Sequence, residues 1–169
     1  MPYLVAGLVF VGLLSVFDLV LILAIVRRLR ERPAAPPVPF TPPGTPLGEF
    51  TATGIDGTAV SRAFFTEPTI VGLFSTTCAS CRERLPEFAD RARGSAGPVL
   101  AVVEGGRDDA EPFVAALSPV AAVVVEPPDG PVAAAFGRPA FPGFYVVGPD
   151  AVVTAAALDP SGLPAPART

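Results

Sequence analysis

The run Thr69-Ile70-Val71-Gly72-Leu73-Phe74 sets the tightest limit on the fold. Successive side chains of a strand point to opposite faces. Here both faces are apolar, so the strand needs cover on both sides, as a central strand of an α/β sheet does. Val99-Leu100-Ala101-Val102-Val103 repeats the pattern, and residues 120–125 form a third apolar run. Helical stretches fall between these strands. One opens at Cys78, runs to about Arg93 with Pro86 inside it, and stops at the turn residues 94–98. A second runs to Leu117 with Asp108 placed to cap it. A third, short one lies around residues 132–136. Residues 144–147 and 151–154 read as a closing hairpin across Gly148-Pro149-Asp150. Residues 50–53 and 59–61 read as an opening hairpin across Asp56-Gly57. Strands that alternate with helices and end in a hairpin predict an α/β sandwich with a mixed central sheet and an N-terminal hairpin.

The flanks differ in kind from this core. Residues 3–26 are apolar almost throughout, interrupted by Ser15, Asp18 and small glycines. At 1.5 Å per residue such a helix is about 36 Å long, enough to cross a bilayer with some tilt. Arg27, Arg28, Arg30 and Arg32 follow at once. A cleaved signal peptide wants a basic start, a shorter apolar core and a small-residue cleavage site, so the segment is expected to remain as a single-pass anchor. Asp18 inside it costs about 2.5–3.5 kcal/mol near the membrane centre. It is a candidate contact for an integral membrane redox partner, or else lies off-centre and is partly hydrated. Residues 33–46 are rich in proline, which favours an extended spacer of about 3.1 Å per residue. The expected organisation is therefore 1–32 anchor and Arg-rich flank, 33–46 linker, 47–158 folded domain and 159–169 Pro-rich tail.

Charge and composition close off several chemistries. The totals are 12 basic residues, all Arg, against 16 acidic ones. Setting aside the four Arg by the apolar run together with Asp18 and Glu31 leaves 8 against 14. An acidic domain of this kind lacks the basic patch that phosphate binding needs, so no nucleic acid partner is expected. With no His in the chain, Ser-His-Asp and Cys-His machinery and His-bearing metal sites are excluded. Two Cys cannot supply a four-sulfur metal site, so neither a metal nor another cofactor is expected.

What remains is Cys78-Ala79-Ser80-Cys81, set between a buried strand and a helix. Exposed amides and the helix dipole at that junction stabilise a thiolate at Cys78, the form that attacks disulfides. Cys81 lies one turn further on the same face, placed to resolve a mixed disulfide. Arg82 and Arg84 add positive charge nearby. The pair is expected to exchange with protein thiols and disulfides.

With these residues in place, the stretch 46–158 resembles the thioredoxin superfamily, in particular membrane-anchored TlpA-type proteins and the related methylamine-utilisation accessory (MauD-like) thioredoxins. Pro86, five residues after the second Cys, matches the proline that kinks the active-site helix there. Phe136-Gly137-Arg138-Pro139-Ala140-Phe141-Pro142 is similar to the family's Tyr-Gly-Val-x-x-x-Pro segment. The resemblance implies a cis Phe141–Pro142 bond facing the Cys pair, with Phe141 and Pro142 binding an extended substrate. It also implies a thiol–disulfide oxidoreductase with no cofactor.

The sequence departs from that pattern in several places. Thr77 stands where the family often has Trp, and Ser80 where it often has Pro. Gly72 takes the place of a common buried Asp. Arg84 takes the place of an acid that TlpA-type members can carry. No proton acceptor for Cys81 is therefore identified. The prolines after Leu158 forbid a long closing helix. Two other readings remain open: a peroxiredoxin-like peroxidase, though Ser75 stands where that site wants Thr, and a non-catalytic binding or assembly module. The two orientation signals disagree. The Arg cluster puts the domain on the cytoplasmic face by the positive-inside rule, whereas the resemblance implies the extracytoplasmic face, where disulfides form.

Overall fold

The computed structural model describes residues 40–137 and 139–164, together with Gly12, Ser15, Phe17 and Asp18, which are helical. The chain divides between Pro37 and Val38 into two units. Among the described residues no helix is long and apolar enough to cross a membrane. The expected span at 3–26 lies outside them except for those four positions, as does the linker over 33–39.

Among the described residues the second unit has seven strands and three α-helices. β1 (Thr51–Thr53) and β2 (Ala59–Ser61) pair as an antiparallel hairpin. Its turn is held by Asp56, whose carboxylate accepts from the Thr58 amide at 2.9 Å and hydroxyl at 2.8 Å. Then come β3 (Thr69–Ser75), α1 (Ala79–Arg93), β4 (Val99–Glu104), α2 (Arg107–Leu117), β5 (Ala122–Glu126), α3 (Pro131–Ala135), β6 (Gly143–Val147) and β7 (Val153–Ala157). The main sheet runs β5-β4-β3-β6-β7, with β3, β4 and β5 parallel and β6 and β7 antiparallel. This is the expected mixed sheet with β3 at its centre.

Period-two alternation gives the sheet two dry faces. Ile70, Phe74, Ala101, Val103, Phe144 and Val146 turn towards α1 and α2. Val71, Leu73, Leu100, Val102, Tyr145 and Val147 turn towards the hairpin and α3. On the first face Phe74, Phe88 and Phe144 form one cluster, with ring centroids 5.3 to 5.7 Å apart. Each buried ring contributes about 1.5–3 kcal/mol of transfer free energy. Gly72 belongs to this cluster for lack of space: a Cβ there would sit 2.6 Å from Cζ of Phe88. The ring occupies the room that a buried acid at position 72 would take.

Several expected boundaries move. Asp108 does not cap α2. The cap is Gly106, which has no side-chain bond, and Asp108 and Asp109 lie within the first turn, where their charges suit the helix dipole. β5 starts at Ala122, because Val120 and Ala121 both turn back onto the Leu117 carbonyl. β7 starts at Val153, because Ala151 has a positive φ of 55° and the preceding backbone bonds to residues 44–47 instead. Contacts of the folded core also reach residues before 47 and after 158. The Gly44 amide donates to the Val153 carbonyl at 2.7 Å, and the Val153 amide to the Thr45 carbonyl at 2.9 Å. At the other end a 3-10 turn, Pro160–Gly162, carries Leu163 into the core at 4% exposure. Arg91 clamps that tail by donating to the Leu163 and Pro164 carbonyls at 2.6 and 2.8 Å.

Both outer strands of the sheet are met by other backbone. The Ile55 amide donates to the Val123 carbonyl of β5, and residues 44–47 run beside the start of β7.

α3 is short and is capped by the last residue of β5. Its N-cap, Gly130, has no side chain to offer. The Glu126 carboxylate fills that role, accepting from the Val132 amide at 2.9 Å and the Ala133 amide at 2.8 Å. These amides are among the helix N–H groups that lack intrahelical partners. A Cβ on Gly130 would lie 2.4 Å from Cδ of Glu126, so the glycine makes room for the carboxylate.

Candidate functional site

Cys78 is the N-cap of α1, with extended backbone (φ −94°, ψ 115°). It follows β3 through Thr76 and Thr77, so strand and helix together fix its position. Its Sγ accepts from the Cys81 amide at 3.3 Å and lies 3.2 Å from the Ser80 hydroxyl. Partial burial works against the charged form. The Cys81 thiol, the Ser80 hydroxyl and the amides of both residues outweigh it and hold the Cys78 thiol below its ordinary value.

Cys81 is fully buried in the phenylalanine-lined core. Its Sγ accepts from the Ser75 amide at 3.4 Å. Burial, reinforced by the neighbouring Cys78 sulfur, pushes its thiol up to about 12, although the Ser75 amide and Arg82 pull the other way. The two thiols are free. They are therefore unequal: one half-exposed and inclined to ionise, the other dry and inclined to keep its proton.

The Phe141–Pro142 bond is cis, the isomer that the resemblance implies. Pro142 is buried and Phe141 half-buried. The Cys78 thiol donates to the Phe141 carbonyl at 3.5 Å, so the loop before β6 and the start of α1 meet at the sulfur. Pro86 is exposed, and α1 runs on through it to Arg93.

Of the two expected cations, only Arg82 serves the pair. It donates to the Thr76 carbonyl at 2.7 Å and acts on Cys81. Arg84 turns away to Asp159 at 2.6 Å and Glu87 at 3.1 Å. This corrects the expectation of two charges beside the pair, and the reason is the tail, which offers Arg84 a carboxylate. Asp18 is exposed. Among the described residues no cluster of His, Cys, Asp or Glu is arranged to hold a metal ion. The Ser80 hydroxyl was not anticipated as a partner of Cys78. The signal was present, since a residue two positions past an N-cap lies beside the cap atom.

No protein-family model matches the chain, and no curated protein matches it in sequence. Solved structures do match. A secreted disulfide oxidoreductase of Mycobacterium tuberculosis is 16% identical with a TM-score of 0.55, over 67% of this chain and 85% of that one. The thioredoxin domain of a Bacteroides vulgatus thiol-disulfide oxidoreductase is 18% identical with a TM-score of 0.58, over 70% and 89%. A thio-disulfide isomerase of Thermus thermophilus is 23% identical with a TM-score of 0.55, over 69% and 85%. These likenesses show the fold, which is thioredoxin-like.

Proposed function

We propose that this chain is a thiol–disulfide oxidoreductase of the TlpA or MauD-like type, tethered to a membrane by residues 3–26 and acting on protein thiols and disulfides. The observation that carries the reading is the inequality of the two sulfurs at one helix N-terminus. Cys78 is half-exposed and stabilised as a thiolate by the Cys81 amide and the Ser80 hydroxyl. Cys81 waits one turn behind it, buried and protonated.

In the reducing direction the Cys78 thiolate attacks one sulfur of a substrate disulfide. A Cys78–substrate disulfide forms, and the other substrate sulfur leaves as a thiolate. Cys81 then displaces the first substrate sulfur while its own proton passes to solvent or to the leaving thiolate. The products are a Cys78–Cys81 disulfide and a substrate dithiol, with two electrons transferred. The oxidising direction is the same sequence reversed. In this reading Phe141 and Pro142 seat the substrate chain, and no cofactor takes part. Asp18 is a contact for an integral membrane partner that exchanges electrons with the pair, and nucleic acid is no partner.

Trapping tests the assignment. Cys81→Ser in the full chain should accumulate mixed disulfides that reductant releases, and Cys78→Ser should accumulate none. The reverse pattern would overturn the order of attack. Loss of cellular role in neither variant would favour a binding module, and peroxide consumption by the wild type would favour a peroxidase. Labelling Cys78 in intact cells with a membrane-impermeant thiol reagent reports which face carries the domain. Alkaline carbonate washing of membranes should leave the chain in the pellet.

A further inference from the structure

The loop that brings the Phe141 carbonyl to Cys78 has two ends, and both rest on groups that the exchange chemistry does not use. It departs from Phe136, the C-cap of α3, and arrives at Gly143, the first residue of β6. At the departure, the buried Thr41 donates its hydroxyl to the Phe136 carbonyl across 95 positions of sequence. At the arrival, Tyr145 lies underneath. Its Cε2 and hydroxyl would be 3.0 and 3.3 Å from a Cβ on Gly143, and the Ala140 carbonyl 3.2 Å from the same point.

The two ends are joined through the strap that begins at Phe40. The Phe40 ring meets the Tyr145 ring edge-on at 6.2 Å, and Phe136 meets it at 4.9 Å. The Tyr145 hydroxyl is buried and closes no hydrogen bond of normal geometry. Burial pushes its pKa up to about 12, and the polar groups acting against that are the amide and hydroxyl of Thr41. Beyond Thr41 the strap is pinned to the start of β7 by the Gly44 and Leu47 amides, at 2.7 and 2.8 Å. Thr41 is thus set on a fixed support, with one oxygen directed at the loop's departure and close to the residue under its arrival.

We propose that Thr41 is a positioning residue for the substrate loop, holding the Phe136 carbonyl so that the stretch from Ala140 to Gly143 stays registered on Cys78. The inference rests on the oxidoreductase reading for its consequence in catalysis, but not for its structural part. Thr41→Val keeps the shape and removes the donor, whereas Thr41→Ser keeps the donor. Thr41→Ala is the second deletion should the valine variant fold poorly.

In the full-length chain, Thr41→Val should speed amide hydrogen exchange at Ala140, Phe141 and Gly143. The expected gain is about threefold to tenfold, the equilibrium weight of one hydrogen bond, with the exchange of β3 and β4 unchanged. With a disulfide-bonded peptide as substrate, KM should rise by a similar factor and kcat should hold. A small aromatic disulfide, which needs no loop contact, should react with Cys78 at the wild-type rate. Thr41→Ser should restore both readouts. Unchanged exchange in the loop, or equal acceleration across the whole domain, would overturn the proposal. Faster loop exchange in a chain whose wild type leaves the peptide disulfide intact would uphold the role of Thr41 and remove the oxidoreductase reading instead.

Discussion

Helix α1 begins under the sulfur of Cys78, and helix α3 begins under the carboxylate of Glu126. In both, an acidic group accepts hydrogen bonds from amides that a helix start leaves unpaired. Yet the Cys78 thiol is held below its ordinary pKa, while burial, helped by the Glu104 charge, raises that of Glu126 against its two amide bonds. Glu126 is 4% exposed, whereas Cys78 is half-open to solvent. The difference teaches that a helix start does not by itself make an anion reactive. Amides favour the anion at both starts, and the net shift is downward only where burial costs less than they supply. One start is therefore suited to a nucleophile and the other to a clasp.

Removing the clasp should have the largest effect. Glu126→Ala leaves two buried amides unpartnered and should cost about 2–4 kcal/mol in urea unfolding. The Cys78 alkylation rate should be unaffected. Gly130→Ala, which forces a methyl into the carboxylate, should cost about 1–3 kcal/mol. Cys78→Ser retains a hydroxyl at the cap and should change stability by less than about 1 kcal/mol, while abolishing exchange.

Opposite pH slopes come next. The folded chain keeps the Glu126 proton to higher pH than the unfolded chain does. This contribution to stability therefore falls as pH rises from the ordinary glutamate value through the raised folded value. Cys78 behaves in the reverse sense: its contribution is full above the ordinary thiol pKa and fades as pH drops through the lowered one. Urea midpoints across pH should lose the falling slope above the ordinary glutamate value in Glu126→Gln, and in Cys78→Ser the rising slope that ends at the ordinary thiol value, above which the raised Cys81 and Tyr145 act instead. A slope that survives its own substitution would break the comparison.

The smallest effect belongs to Ser80. Ser80→Ala removes one donor beside Cys78 and should move the midpoint of its alkylation-versus-pH curve upward by a fraction of a unit. The urea midpoint should not change.

The strands were readable because β3, β4 and β5 are apolar on both faces, a pattern that one short window of sequence contains. α1 and its Cys pair were readable for the same reason: strand, turn and helix are contiguous. The features that escaped depend on where side chains and distant segments meet in space. Nothing near Arg84 indicates that Asp159 claims it, and Glu126, although only six residues before Val132, ends a strand and gives no sign in sequence that its carboxylate turns onto the helix start. The start of β7 was misplaced because the backbone of residues 44–47 competes for Ala151 and Val153. At the candidate site the Cys81 amide and the Phe141 carbonyl both meet the Cys78 sulfur, next to the cis bond at Pro142. The Ser80 contact needed the geometry of the cap.

The covered margins of the main sheet have one more consequence. An open strand edge is a template on which another chain can add by backbone pairing, the first step of ordered aggregation. Here the Ile55 amide takes the Val123 carbonyl on one margin, and Gly44 and Thr45 take Val153 on the other. Part of each template is thus occupied by the molecule itself. The opening hairpin and the strap act as stoppers against sheet-to-sheet growth, a protection that none of the buried side chains could supply.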